Sequence, residues 1–150
     1  MRKYLYTFAF MLAVLTFSAC SAEDTQINIQ ELTDDLINNV KFEDEMTLID
    51  EKTVESLYNI NYAVSQVVYI SSGATAEEVA VFELKDVKDA SKALDAARQR
   101  IEVLKQGFET YIPEEIPKLD NAIVKKAGRY VIVCISNSDE ADEIINSYVK

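Results

Sequence analysis

The 150-residue chain carries 15 lysines and arginines against 26 aspartates and glutamates, a formal charge of −11, and has no histidine and only two cysteines. That balance argues against nucleic acid as a partner and against electrostatic adhesion to anionic lipid, since both need a basic face. The lack of histidine removes thiolate–imidazole metal sites and the usual base for a serine or cysteine nucleophile. From Glu23 onward acidic residues are spread along the chain, the pattern of a solvated surface.

The first residues read as a secretory signal. Arg2 and Lys3 give the positive start, Leu5 to Phe17 form an uncharged and mostly apolar run, and no acidic residue precedes Glu23. The run ends in Thr16-Phe17-Ser18-Ala19-Cys20, which resembles the lipobox of bacterial lipoproteins, with Phe17 where leucine is usual. In that class the cysteine is lipidated and the chain is cut just before it. An ordinary secretory cleavage site, an uncleaved membrane helix and a buried N-terminal helix compete with this reading. The second falls just short of the roughly 20 apolar residues that a span requires. The expected organisation is therefore a lipoprotein signal peptide over 1–19, lipidated Cys20 with a short polar tether over 20–26, and a single α+β domain over 27–150. Loss of Arg2 and Lys3 leaves 13 basic against 26 acidic residues, a net −13. Such a chain belongs on the outer face of the cytoplasmic membrane, with the membrane itself as its first partner through the lipid on Cys20.

Beyond the tether, Asn28 and Glu31 form a capping box, and Ile29, Leu32, Leu36 and Val40 follow at helical spacing, predicting a helix over about 29–40. Glu43-Asp44-Glu45 reads as exposed loop. Asp50 caps a second short helix, with Ile49 and Val54 as a hydrophobic staple and Asn59 suited to the left-handed position that ends it. Two runs rich in Val, Ile, Tyr and Phe, about 62–71 and 78–84, flank Ser72-Gly73-Ala74-Thr75 and predict a β-hairpin. A long helix follows, with Val87, Ala90, Leu94, Ala97, Ile101, Leu104, Phe108 and Tyr111 as one apolar stripe, Asp86 as its cap and Pro113 as its stop. After a turn segment through Pro117, strands near 122–126 and 129–136 reverse at Ala127-Gly128. Asn137 with Glu140 offers a capping box for a final short helix bearing Ala141, Ile144, Ile145 and Tyr148 on its apolar face.

Two hairpins separated by one amphipathic helix most simply make an α+β two-layer sandwich. Its sheet would be four-stranded and mainly antiparallel, with the long helix and the shorter helices on one face. The strand order between the hairpins stays open.

The order of blocks is itself informative. Leu57-Tyr58-Asn59-Ile60, Ser71-Ser72-Gly73-Ala74-Thr75-Ala76-Glu77-Glu78-Val79-Ala80-Val81-Phe82, Pro113-Glu114-Glu115, Leu119-Asp120-Asn121-Ala122 and Gly128-Arg129-Tyr130-Val131 occur in succession. This succession resembles the small Gram-positive lipoproteins grouped as domain of unknown function 4358, with Asn59 where that family's glycine is expected. The resemblance implies a lipid-anchored extracytoplasmic domain and carries over no catalytic or binding residue.

No Gly-x-Ser-x-Gly elbow, Cys-x-x-Cys or phosphate-binding glycine loop is present, and the chain is expected to be non-catalytic and without a cofactor. The carboxylates leave a hydrolase as the weakest alternative. Asp139, Glu140, Asp142 and Glu143 are dense but lie in the first turns of a helix, where acidic residues are favoured anyway, so no metal site is assigned. Cys134 sits in the β-rich run Tyr130–Ile135 and reads as a buried, inert thiol. Two candidate contact features remain. One is the hairpin tip with Ser72, Gly73 and Thr75; the other is a set of tyrosines, Tyr58, Tyr62 and Tyr69, able to line a groove. The sequence thus points to a monomeric binding module for another envelope component, the alternative being an accessory domain for a small molecule or ion.

Overall fold

The computed structural model of the protein describes residues 26–149. The expected signal peptide (1–19) and Cys20 lie outside them. The described chain runs α1 (Ile29–Asn39), β1 (Thr47–Leu48), α2 (Glu51–Tyr58), β2 (Ser65–Ile70), β3 (Glu78–Glu83), α3 (Val87–Tyr111), a 3-10 turn (Pro113–Glu115), α4 (Ile116–Asp120), β4 (Ile123–Ala127), β5 (Tyr130–Ile135) and α5 (Glu140–Tyr148). The fold is α+β, as the element pattern requires.

Local chemistry accounts for most of these boundaries. Asn28, Asp50 and Asp86 each accept a hydrogen bond from the backbone N–H three residues on, which satisfies one of the donors a helix start leaves open. Asn59 ends α2 at φ +55°, a left-handed conformation that asparagine tolerates better than other non-glycine residues. Pro113 follows the end of α3 and opens the 3-10 turn, where its missing N–H costs nothing. The segment through Pro117 is a short helix rather than a turn, because a proline is also compatible with a helix's first positions. One predicted cap does not form. Asp139, not Asn137, precedes α5 and makes no side-chain cap bond, and Asn137 instead donates to Glu43 Oε1 at 3.0 Å.

Both hairpins form, and they join through their inner strands. The sheet is antiparallel throughout in the order β1-β2-β3-β5-β4, with Val79 opposite Cys134 and Ala80 opposite Val133. Two features correct the sequence expectation. The sheet has five strands, the fifth being the two-residue edge strand β1, whose Thr47 and Leu48 pair with Ile70 and Tyr69. And the helices cover both faces, making three layers instead of two. Phe82, Val131 and Val133 pack with α2 and α3, while Val79, Val81, Ile132 and Cys134 pack with α1 and α5. The physical reason lies in β3 and β5, whose hydrophobic residues are buried on both sides. An antiparallel strand with one wet face alternates apolar and polar residues; Tyr130-Val-Ile-Val-Cys-Ile135 does not, and needs a helical layer on each side.

Candidate functional site

Four connections meet at one end of this sheet. The β2–β3 loop (71–77), the α1–β1 segment (40–46), the 3-10 turn with α4, and the β5–α5 loop (136–139) all lie beyond the ends of β3 and β5 marked by the Glu78–Ile135 pair. Charged side chains with almost no access to water hold the first three together, and the fourth joins them through a hydrogen bond from Asn137 to Glu43.

Glu77 is the centre of the network. Its carboxylate accepts from the backbone N–H groups of Glu43 (2.9 and 3.0 Å) and Asp44 (3.1 Å), and from Thr75 Oγ1 (3.0 Å). Lys118, 2% exposed, places its ammonium 3.0 Å from Glu115, 3.2 Å from Glu43 and 3.7 Å from Glu77. Burial draws the Lys118 ammonium toward neutrality, but the hydrogen bonds of Glu115 and Glu43 outweigh it and leave the pKa raised. Glu115 in turn accepts from the Ala76 N–H at 2.8 Å. Each buried charge therefore has both an opposite charge and hydrogen-bond partners, the condition under which such groups are tolerated inside a protein.

Glu78, the next residue, points to the opposite face and belongs to a second cluster. It receives Arg100 Nη2 at 2.7 Å and Nε at 3.3 Å, together with the Tyr58 hydroxyl. Tyr58 also lies edge-on against Phe82, with centroids 5.0 Å apart. Burial, and then the Glu78 charge, push the Tyr58 phenol well above its ordinary pKa, so it stays protonated and donates to Glu78. A narrow cleft of about 90 Å³ runs from Gly73 and Thr75 past Arg100 to Phe108.

The sequence-predicted residues divide as follows. Ser72, Gly73 and Thr75 are at the hairpin tip, with Gly73 at φ +93° where a side chain would be strained. Their hydroxyls are engaged within the fold. Ser72 binds the Asp44 carboxylate through both N–H and Oγ, and the Ser72 hydroxyl is the leading cause of that carboxylate's lowered pKa. The three tyrosines do not converge. Tyr58 is buried between α2 and the sheet, Tyr62 lies beneath Lys92 of α3 with the ammonium 5.9 Å from its ring centroid, and Tyr69 packs on the α1 side. Cys134 is buried, and burial raises its thiol to about 11, which leaves it protonated and unreactive at neutral pH. Cys20 is outside the described residues. Sequence reasoning missed the participation of Glu77, Glu78, Arg100, Glu115 and Lys118. The only available signal was the adjacent Glu77-Glu78 pair at the start of an otherwise apolar strand.

Two open, largely polar concavities adjoin the network. One, of about 400 Å³, is bordered by Lys41, Glu43 and residues 137–140; the other, of about 570 Å³, by Asn121, Ile123, residues 136–139, Asp142 and Glu143. No group of three or more acidic or cysteine side chains is arranged to hold a metal ion among the described residues. No helix among them is long and apolar enough to cross a membrane.

The architecture is thus a three-layer α+β domain whose loops are pinned at one end by buried ion pairs. The chain belongs to the family described as a domain of unknown function, number 4358, whose profile matches residues 38–136. That span begins at the end of α1 and ends just after β5, and so contains the whole sheet and both buried clusters. Comparison with curated proteins and with solved structures gives no match.

Proposed function

We propose that the protein is a non-catalytic binding module of a Gram-positive cell envelope, anchored by lipid on Cys20, and that the pinned loop end of the sheet is its contact surface. The observation that carries this reading is the Glu77–Lys118 network. Three loops from distant parts of the chain are held in one arrangement by buried charge and a fourth is tied to them through Asn137, although no nucleophile–base pair is built there among the described residues. Loops fixed on a rigid scaffold are the usual place for recognition, and pre-organised loops lose less freedom on binding. The buried carboxylates support the same reading, because Glu77, Glu78 and Glu115 each accept hydrogen bonds from the fold itself. A second reading, an accessory domain for a polar or cationic small molecule, is favoured by the two acid-lined concavities beside Asn137.

The test is photo-crosslinking in living cells, with the reactive group placed in turn at the exposed Ala74, Glu114, Asp139 and, as a control at the far end of the sheet, Lys88. Capture of envelope proteins from the first three positions but not from Lys88 is expected. Equal capture from all four would reject the loop end as the contact surface. Mass spectrometry of the membrane-extracted chain tests the anchor separately: a processed chain with unmodified Cys20 would remove it.

A further inference from the structure

We infer that the outer edge of β4 is a strand-addition site for an acidic, extended segment of another envelope protein. The site lies along the side of the sheet, between α3 and α5. It is separate from the loop end and stands whether or not that end binds.

The register shows which backbone groups this edge leaves unmet. The Leu84 N–H donates to the Arg129 carbonyl between β3 and β5. Alternation along β5 then directs the backbone groups of Val131, Val133 and Ile135 to β3, and those of Tyr130, Ile132 and Cys134 to their β4 partners Ala127, Lys125 and Ile123. The N–H and C=O of Val124 and Lys126 are therefore turned away from β5, and neither main chain has another hydrogen bond among the described residues. The opposite margin of the sheet differs. There the two-residue β1 closes on Tyr69 and Ile70, a short edge of the kind that discourages further pairing. At five residues, β4 is the longer edge and can template a strand.

Charge selects the occupant. Residues 121–138 hold three basic side chains and no acidic one, while the rest of the chain holds 12 basic against 26 acidic. Two of the three, Lys125 and Lys126, are adjacent on β4 and so stand on opposite faces of the sheet. Lys125 donates to Asn146 of α5, and Lys126 donates to Ser91 of α3 at 2.9 Å. Each ammonium thus leans toward a helix rather than across the edge. Neither has a carboxylate within ion-pair distance among the described residues, whereas Arg129, the third basic residue, is paired with Glu83 at 2.8 Å.

Lysines on an edge strand also hinder indiscriminate pairing, and here the same two charges reject every strand but one kind. A second β4 would set lysine against lysine, and an apolar strand would press both ammonium groups against a surface without counter-charge. An acidic strand gains on both faces. Ile123 and Val124, partly buried on the two faces, continue the edge beyond the lysines. The matching segment accordingly carries two consecutive acidic residues beside two β-branched ones, so that each face pairs charge with charge and apolar with apolar. Such a partner needs no two-fold axis and leaves the tether unconstrained. Its hold is weak in dilute solution and strengthened when both chains are confined at one membrane.

The experiment uses the chain as extracted from membranes, in detergent micelles, with amide exchange followed residue by residue by NMR. The probe is a short end-blocked peptide with two consecutive glutamates between alternating threonine and valine; the control peptide has lysines in place of the glutamates. The glutamate peptide should slow exchange of the Val124 and Lys126 amides several-fold. It should leave those of Lys125 and Ala127, already bonded to β5, unchanged, and the lysine peptide should have no effect. Lys125→Glu and Lys126→Glu together should reverse the preference, and continued protection of β5 in the same spectra shows that this variant is folded. The inference is overturned if the two peptides act alike on the unsubstituted chain, or if the glutamate peptide slows neither amide at its solubility limit. Protection of both amides in the free chain, by its own N-terminal segment or by a second copy, overturns it equally.

Discussion

Glu77 and Glu78 are adjacent residues with different tasks, because successive side chains at the start of a strand point to opposite faces. Glu77 fastens the loops; Glu78 joins α2 and α3 through Tyr58 and Arg100. Replacing Glu77 with alanine leaves the Lys118 charge buried with fewer partners, a change that costs about 3–5 kcal/mol. At about 2–4 °C per kcal/mol, the thermal midpoint should fall by roughly 6–20 °C. A fall of only 1–2 °C would mean that the network is incidental. Cys134 gives the opposite kind of expectation. Its raised pKa and burial predict no labelling by a thiol reagent at pH 7 until the chain is unfolded, and labelling under native conditions would contradict the packing on the α1 side. These roles were invisible in the sequence because long-range ion pairs leave no periodic trace. The caps at Asn28, Asp50 and Asp86 were legible because each is a contact three residues long. Asn137 was misread for the complementary reason: Glu43, 94 residues away, competes for its amide.

At the scale of elements, periodicity located every helix longer than two turns and the four longer strands within a few residues. It failed at β1, where two exposed residues are too few to show alternation and pairing with Tyr69 and Ile70 alone makes them a strand. It failed again at the layer count, because a buried strand and a half-buried strand differ only in how polar their second face is, and in β3 that face carries Val79 and Val81. The loop cluster was legible only as a hairpin tip, since its fasteners come from four separate segments. That arrangement has a consequence for pH. Bonding to Lys118, then Coulomb attraction to it, lowers the Glu43 pKa below its ordinary 4.5, and bonding to Ser72 lowers that of Asp44 below its ordinary 3.8. A depressed carboxylate contributes stability that is fully present above the unfolded value and is lost as pH falls through the folded value. Amide protection factors in residues 40–46 and 71–77 should therefore fall relative to those in β5 below about pH 4, and keep a constant ratio to them between about pH 5 and 8. A uniform fall across the sheet would point instead to global acid unfolding.

For the whole molecule, the deciding fact is where Gln26 sits. Gln26 bonds to Arg129 at 3.1 Å, and Arg129 lies in the β4–β5 turn, its carbonyl accepting from the Leu84 N–H. The N-terminal end of the domain is thus at the opposite end of the sheet from the 71–77 loop. A strand of six residues at about 3.3 Å each separates the two ends by about 20 Å. The six steps from Cys20 to Gln26 add at most about 20 Å of slack at roughly 3.3–3.6 Å per residue. If Cys20 carries the lipid, the loop end is directed outward, about 20–40 Å above the headgroups, and reaches membrane-proximal proteins from above. The acidic surface adds to this by opposing a flat orientation on anionic lipid. A fluorophore on Lys85→Cys, near the Arg129 turn, should accordingly be quenched several-fold more by a headgroup-level quencher than one on Glu114→Cys at the loop end. Inserting a long Gly/Ser spacer after Ala22 lets the domain tumble, so the difference should shrink, and crosslinks to integral membrane proteins should fall as the effective concentration drops. Equal quenching at the two positions before the spacer is inserted would show that the domain has no preferred orientation, and the tether would then be a retention device only.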